Sequence, residues 1–476
     1  MRCWRPFFVV LALLSGITVH SQEPLPEEEA GGASSLQDAR GWKPCGRRAA
    51  LLDPSTGAVG LGPSELVHGD QVLLFTEEDG ENGLDLWKSS GTQGEGISLV
   101  KDFSPELTGI SPMELTRVGT RVFFAAEDAE HGRELWVSDG TTGGTQGVKD
   151  LWPGPIGSFP RSLFSFGGLL YFSAGDEEHG HELWRSDGTP MGTFQVEDLE
   201  PGPEGTHPQG FVRGSGGALY FLIDRGGFFR ALMRSDGGPG AVELFRVPST
   251  NLLESLTPVG QRLFFITGDS HELMAELMVT EGGAPVRVGM FSELHELVAM
   301  GGRLYFSAST HEDPANQELW RSDGTPEGTR RVKDLRPGSE GSHPQGLTVV
   351  GRRLFFTADD GMHGRELWVS DGTASGTRLF TDLEPGALGS SPEELTAIQD
   401  HVFFSADTAG RGRSPWVSDG TPRGTVAIEG PVASMRASNP REFVRSGWDV
   451  FFSAEVGSSG RRLWALPFRP AGRCDR

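Results

Sequence analysis

The sequence predicts an all-β protein: a β-propeller of about nine four-stranded blades, with eight blades and an extra hairpin as the alternative. Composition points there first. Glycine (68) and proline (31) make up about a fifth of the 476 residues, against a usual share of about 12%. Neither residue is well tolerated inside helices, and both serve tight turns. Phenylalanine (29) and tryptophan (11) supply apolar mass for a core. The second observation is a repeat. An anchor residue recurs at Trp87, Trp136, Trp184, Met233, Met278, Trp320, Trp368, Trp416 and Trp464, at intervals of 42 to 49 residues. Each unit carries four short β-branched or aromatic runs separated by Gly, Asp and Pro, which is the pattern of propeller blades. The third observation is a match between the ends. The ninth unit has three strand candidates and then the chain stops, while Arg47–Asp53 (RRAALLD) resembles the missing fourth. Pairing the two would close the ring and remove exposed sheet edges.

Taken in order, the chain opens with Arg2 and Arg5 before an apolar run, Phe7 to Leu14, and then small and polar residues. That is the layout of a secretory signal peptide over residues 1–21, with cleavage near Ser21–Gln22. Residues 22–44, rich in Glu, Gly, Ala and Ser, are expected to form a flexible acidic lead-in. Residues 45–476 form a single propeller domain. Cys3 would leave with the signal peptide, so Cys45 and Cys474 remain, one near each end. Export permits a disulfide between them, tying the termini together. Two free thiols, or links to other chains, are the alternative.

The unit around Trp368 shows the blade plan. Gly346–Gly351 is the first strand, Leu354–Asp359 the second, Glu366–Asp371 the third and Arg378–Leu383 the fourth. The third strand and its turn repeat as ELWVSDGTTGGT from Glu134, ELWRSDGTPMGT from Glu182, ELWRSDGTPEGT from Glu318 and ELWVSDGTASGT from Glu366. Units four and five depart from this. They carry Met233 and Met278 for Trp, lose much of the GTxxGT turn and are shorter. The repeated ELWxSDGTxxGT resembles the ELWxxDGTxxGT repeat family of exported bacterial proteins over residues 62–468. The resemblance implies a secreted repeat protein and implies no reaction.

The Trp anchors alternate with polar neighbours, so they face one side of the sheet and serve blade-to-blade packing. Asp139, Asp187, Asp323, Asp371 and Asp419 stand in tight-turn sequences, where Asp accepts backbone N–H bonds and Gly takes positive φ. Calcium ligation is the competing reading, but it needs several oxygens converging on one point. In a four-stranded meander the SDGT turns share one face of the disc. The variable second-to-third strand loops and the crossovers between blades share the other. Binding on a regular scaffold belongs where the scaffold varies, so the candidate face is the second. It carries His131, His179, His181, His207, His271, His311, His343 and His363, and in unit four Arg225, Phe228, Phe229 and Arg230. A histidine ring could hold a metal or act as bases; repeated turn residues are the plainer reading. Exposed aromatic and Arg side chains make binding anchors, unless the Phe residues pack inward.

A formal charge of −23 excludes a protein that coats nucleic acid or docks on anionic lipid. No nucleophile elbow or phosphate loop is present, and no catalytic residue, metal ligand or cofactor is expected. The expected role is an exported binding or scaffold module, a monomer acting on a protein or polysaccharide, with no membrane insertion after signal removal. A propeller glycosidase or lyase and a structural matrix protein are the rivals.

Overall fold

A computed structural model describes residues 41–52, 62–69, 72–78, 83–93, 96–103, 112–269, 274–432 and 434–474. The expected signal peptide, the lead-in up to residue 40 and His271 lie outside the described residues. Nine antiparallel blades follow one another: eight are four consecutive strands in the order 1-2-3-4, and the ninth joins the last three strands to two from the N-terminal segment. The alternative of eight is therefore set aside.

Blade seven is representative. Its strands are Gln345–Val350, Arg353–Asp359, Arg365–Ser370 and Arg378–Thr381. Val350 pairs with Arg353 across a two-residue turn, where Gly351 takes φ +63°, as the tightest hairpins require. The second strand runs Leu354–Asp359 against Ser370–Arg365 in unbroken register. Phe356 is thereby placed opposite Trp368, and both face the core between blades six and seven.

Each core cluster belongs to two blades rather than one. Leu74, Leu86 and Val100 of blade one pack with Leu115, Val122, Phe124 and Trp136 of blade two. The Trp anchors do pack between blades, and Met233 and Met278 are buried at the same position. Blades four and five keep all four strands. Their fourth strands, Val242–Pro248 and Val286–Phe291, are longer than the Arg378–Thr381 of blade seven, so the loss of the GTxxGT turn is filled by sheet.

The ends close as the sequence implied, with one correction of boundary. Ala50 and Leu51 pair with Ala465 and Trp464 in the last strand, Arg461–Pro470. Trp42–Pro44, expected within the lead-in, also pairs with that strand, opposite Pro470–Phe468. Apolar side chains explain the difference: Trp42 stacks on the buried Phe468, 6.0 Å between ring centroids. Cys45 and Cys474 form a disulfide with Cα atoms 5.1 Å apart. Between blades nine and one, Leu66, Leu73 and Phe75 pack against Val444, Phe451, Leu463 and Ala465, so the ring is closed.

Every first strand carries the same irregularity. One residue takes positive φ at a bulge: Glu65, Glu114, Ser162, Gly210, Ser255, Glu296, Gly346, Glu394 and Glu442, in blades one to nine. The register shifts at each of these positions. A bulge re-aims a side chain. Here Glu65, Glu114, Glu296 and Glu442 each accept the backbone N–H of the following blade's first strand, at Leu115, Leu163, Leu347 and Leu66. These four bonds lock neighbouring blades together at the inner ring.

Candidate functional site

The two faces of the disc differ in kind. On the SDGT face, Asp371 Oδ1 accepts from the Thr373 amide and hydroxyl, at 2.9 and 2.7 Å. The Gly376 N–H donates to Thr373 Oγ1, and Thr377 Oγ1 donates to the Thr373 carbonyl. The same closed set recurs at Asp139, Asp187, Asp323 and Asp419. The Thr hydroxyl bonds hold Asp139, Asp187, Asp323 and Asp371 below the usual carboxylate range. These aspartates are turn-formers, with their oxygens aimed into their own backbone.

The loop face carries the predicted histidines that are described, and three of them close turns. His131 Nδ1 lies 3.1 Å from Asp128, His179 Nδ1 3.0 Å from Asp176 and His363 Nδ1 2.8 Å from Asp360. In each loop the same aspartate accepts the histidine's backbone N–H. Hydrogen bonding to the carboxylate raises all three imidazole pKa values. They stand on blades two, three and seven, apart from one another. Among the described residues no group of three or more His, Cys, Asp or Glu side chains converges to hold a metal.

One histidine pair does come together. His181 of blade three and His207 of the following crossover stack with centroids 4.9 Å apart. Burial, then His207 and Arg161, push His181 down to about 4, so the ring is neutral at pH 7. Blade six places Gln317 and His343 at the same two positions, 2.8 Å apart, and blade two places Arg133 over Phe159 at 5.6 Å. The pair is thus one variant of a contact that ties the third strand to the crossover.

Blade four mixes the two expectations for its aromatic loop. Phe228 is exposed, with the Arg225 guanidinium 5.2 Å from its ring centre. Phe229 packs against the blade three–four core under Arg246. Arg225 pairs with Glu200, and Arg230 pairs with Asp224 at 2.8 Å. Of the four residues expected to anchor a partner here, Phe228 is the exposed apolar one.

Sequence reasoning missed the glutamate of ELW. Glu134, Glu182, Glu318 and Glu366 are buried, and each binds the crossover that follows its blade. Glu366 accepts the N–H groups of Leu383, Glu384 and Ser390 and the Ser390 hydroxyl, the last at 2.6 Å. Burial raises the pKa of all four despite these bonds, that of Glu182 to about 7. A Ser or Thr follows each glutamate by 24 positions, at Ser158, Thr206, Ser342 and Ser390. That spacing was present in the sequence and could have revealed the contact.

Fold and faces together define a nine-bladed, disulfide-closed β-propeller with one uniform and one variable face. No family model matches the chain, and no curated protein matches it. Solved structures with some likeness include puromycin hydrolase, at 15% identity and TM-score 0.37, covering 72% of this chain and 58% of that one. A prolyl endopeptidase shows 14% identity and TM-score 0.41, covering 72% and 52%. The β-propeller domain of the Trilobed protease from Pyrococcus furiosus shows 10% identity and TM-score 0.41, covering 78% and 98%. The chain spans little more than half the length of the first two. At such identities the likeness concerns propeller architecture alone.

Proposed function

We propose that this propeller is an exported binding or scaffold module of the ELWxxDGTxxGT repeat type, engaging a protein or polysaccharide at the cell surface or outside the cell. The observation that carries the reading is the asymmetry of the faces. SDGT turns satisfy their own polar groups identically in five blades, leaving little to recognise a partner. Loops on the other face differ from blade to blade and expose Phe228, His131 and His363. Export is supported by the Arg-flanked apolar run at the N-terminus and by the Cys45–Cys474 disulfide, since such bonds persist in oxidising compartments.

The test is thermal melting of the chain from Gln22 onward against a panel of polysaccharides, divalent metals and surface extracts. A ligand that binds only the folded state raises the melting point with its occupancy. A saturable rise that is lost on changing loop-face residues, and kept on changing SDGT residues, is expected. A rise that depends on the SDGT face instead would refute the assignment of faces.

A further inference from the structure

We infer that blade eight holds a binding site for a carboxylate group, in the place where other blades seat their own glutamate. Ser414 occupies the position of Glu366: the sequence reads Arg413-Ser414-Pro415-Trp416 where blade seven reads Arg365-Glu366-Leu367-Trp368. Blade eight nevertheless keeps a full-length crossover, with the same spacing from Asp419 to Pro440 as from Asp371 to Pro392. Among blades two to eight it is the one with such a crossover and no acid to bind it. Ser414 is only 7% exposed, and its Oγ has no hydrogen-bond partner. Ser438, the counterpart of Ser390, turns away and donates to the Glu455 carbonyl at 3.3 Å.

The crossover has also moved. In blade seven a Cβ added at Gly364 would lie 2.5 Å from Gly389 N, and one at Gly389 would lie 2.5 Å from the Arg365 carbonyl. The counterpart of Gly389 is Ala437, whose methyl group forbids that approach. Around Gly412, the counterpart of Gly364, nothing lies within 4 Å of an added Cβ. The crossover is held instead by the N-terminal segment, through Ala49 N to the Glu429 carbonyl and Glu429 N to the Arg47 carbonyl.

What opens is a recess of about 160 Å³ with Ser414 in its lining. Arg48, Arg411 and Arg436 surround it, opposed by the single carboxylate of Glu429, 3.9 Å from Arg411. Arg436 is steadied by a 2.9 Å bond to the Gly410 carbonyl. Pro431, at the position of Leu383, removes one backbone donor of the old cage. The guanidiniums replace it, and their planar forks match a carboxylate two bonds at a time. Ile428, Val432 and Ala437 give the recess an apolar wall for the body of a small acid. This site rests on the binding-module reading and lies on the loop face.

Calorimetric titration of the chain from Gln22 onward, with galacturonate and N-acetylglycine as carboxylate probes and sulfate and phosphate as competitors, tests it. At least one carboxylate should bind saturably, and which one distinguishes a sugar acid from a peptide end. Ser414→Glu restores the repeat's own carboxylate and should abolish binding while melting no lower than wild type. Arg48→Gln, at an exposed position, should weaken binding roughly tenfold without changing the melt. No carboxylate binding by wild type, undiminished binding by both variants, or sulfate and phosphate binding as tightly would each overturn the site. A panel ligand that shifts wild type and Ser414→Glu alike would keep the binding module and sink this recess.

Discussion

Glu442 stands where the ring closes, and its charge should make the protein less stable as pH rises. Its carboxylate accepts the Leu66 N–H at 3.1 Å. Burial, reinforced by the Glu65 and Glu394 carboxylates, outweighs that bond and pushes its pKa up to about 7, from 4.5. Between those pH values the folded state holds a proton the unfolded chain has released. Stability therefore falls as pH rises through the window, and this contribution is fully lost above it. The shift corresponds to on the order of 3 kcal/mol. Glu442→Gln keeps an oxygen for Leu66 and removes the charge. Variant and wild type should be nearly equal near pH 4.5. Their difference should then grow in favour of Gln by at most about 1.4 kcal/mol per pH unit, reaching a plateau above pH ~7. Urea unfolding of both proteins across that range measures the difference directly. A gap that stays constant with pH, or a Gln variant less stable than wild type in mild alkali, would refute the reasoning.

Four further outcomes follow from the packing and closure. Replacing Cys45 and Cys474 by Ser should cost about 2–5 kcal/mol, seen as a lower melting point that reducing agent reproduces in wild type. Gly389→Ala should cost roughly 1–3 kcal/mol, because the position has φ +65° and the methyl group would meet the Arg365 carbonyl. Protease nicking of the blade-seven crossover should rise with it. Trp368→Ala empties a core shared by blades six and seven and should cost about 3–5 kcal/mol by denaturant unfolding. Asp371→Ala removes two acceptor bonds in an exposed turn and should cost about 1 kcal/mol, with ligand binding on the opposite face unchanged in titration.

The architecture was legible because it rests on periodic signals. Trp anchors every 42 to 49 residues mark a position packed between blades, and any apolar side chain of similar size keeps it, as Met233 and Met278 do. Closure was legible because a three-strand unit at one end and a strand-like segment at the other are complementary halves. Two things escaped. The bulge glutamates look like ordinary exposed residues of a strand, since nothing in Glu65 or Glu114 announces a positive φ. The ELW glutamate was hidden by its own regularity: a conserved-looking acid in a repeat suggests a solvated edge, whereas Glu366 is buried and tied to residues 17 to 24 positions away. Aromatic content alone could not say which of Phe228 and Phe229 would turn inward.

Departures from the repeat differ in whether the rest of the blade adjusts. In blade four Ala231 replaces the glutamate, and the crossover shrinks to residues 249–251 between strands ending at Pro248 and starting at Leu252. In blade five Glu276 pairs with Arg287 of the lengthened fourth strand, and a single residue, Ser292, separates Phe291 from the next blade. The shorter periods there follow from this: where the acid is lost, as at Ala231, or is engaged by the fourth strand, as Glu276 is by Arg287, the chain dispenses with the long crossover. Blade nine has Arg462 at the position, and the segment that leads from its fourth strand, Ala50–Leu51, to blade one brings Gly62 against Arg461. Blade eight keeps the long crossover, loses the acid, and gathers three arginines around the vacated volume. A lost motif residue whose surroundings have closed over it records tolerance of change. One whose surroundings stay open, and carry the opposite charge, leaves room for a group supplied from outside.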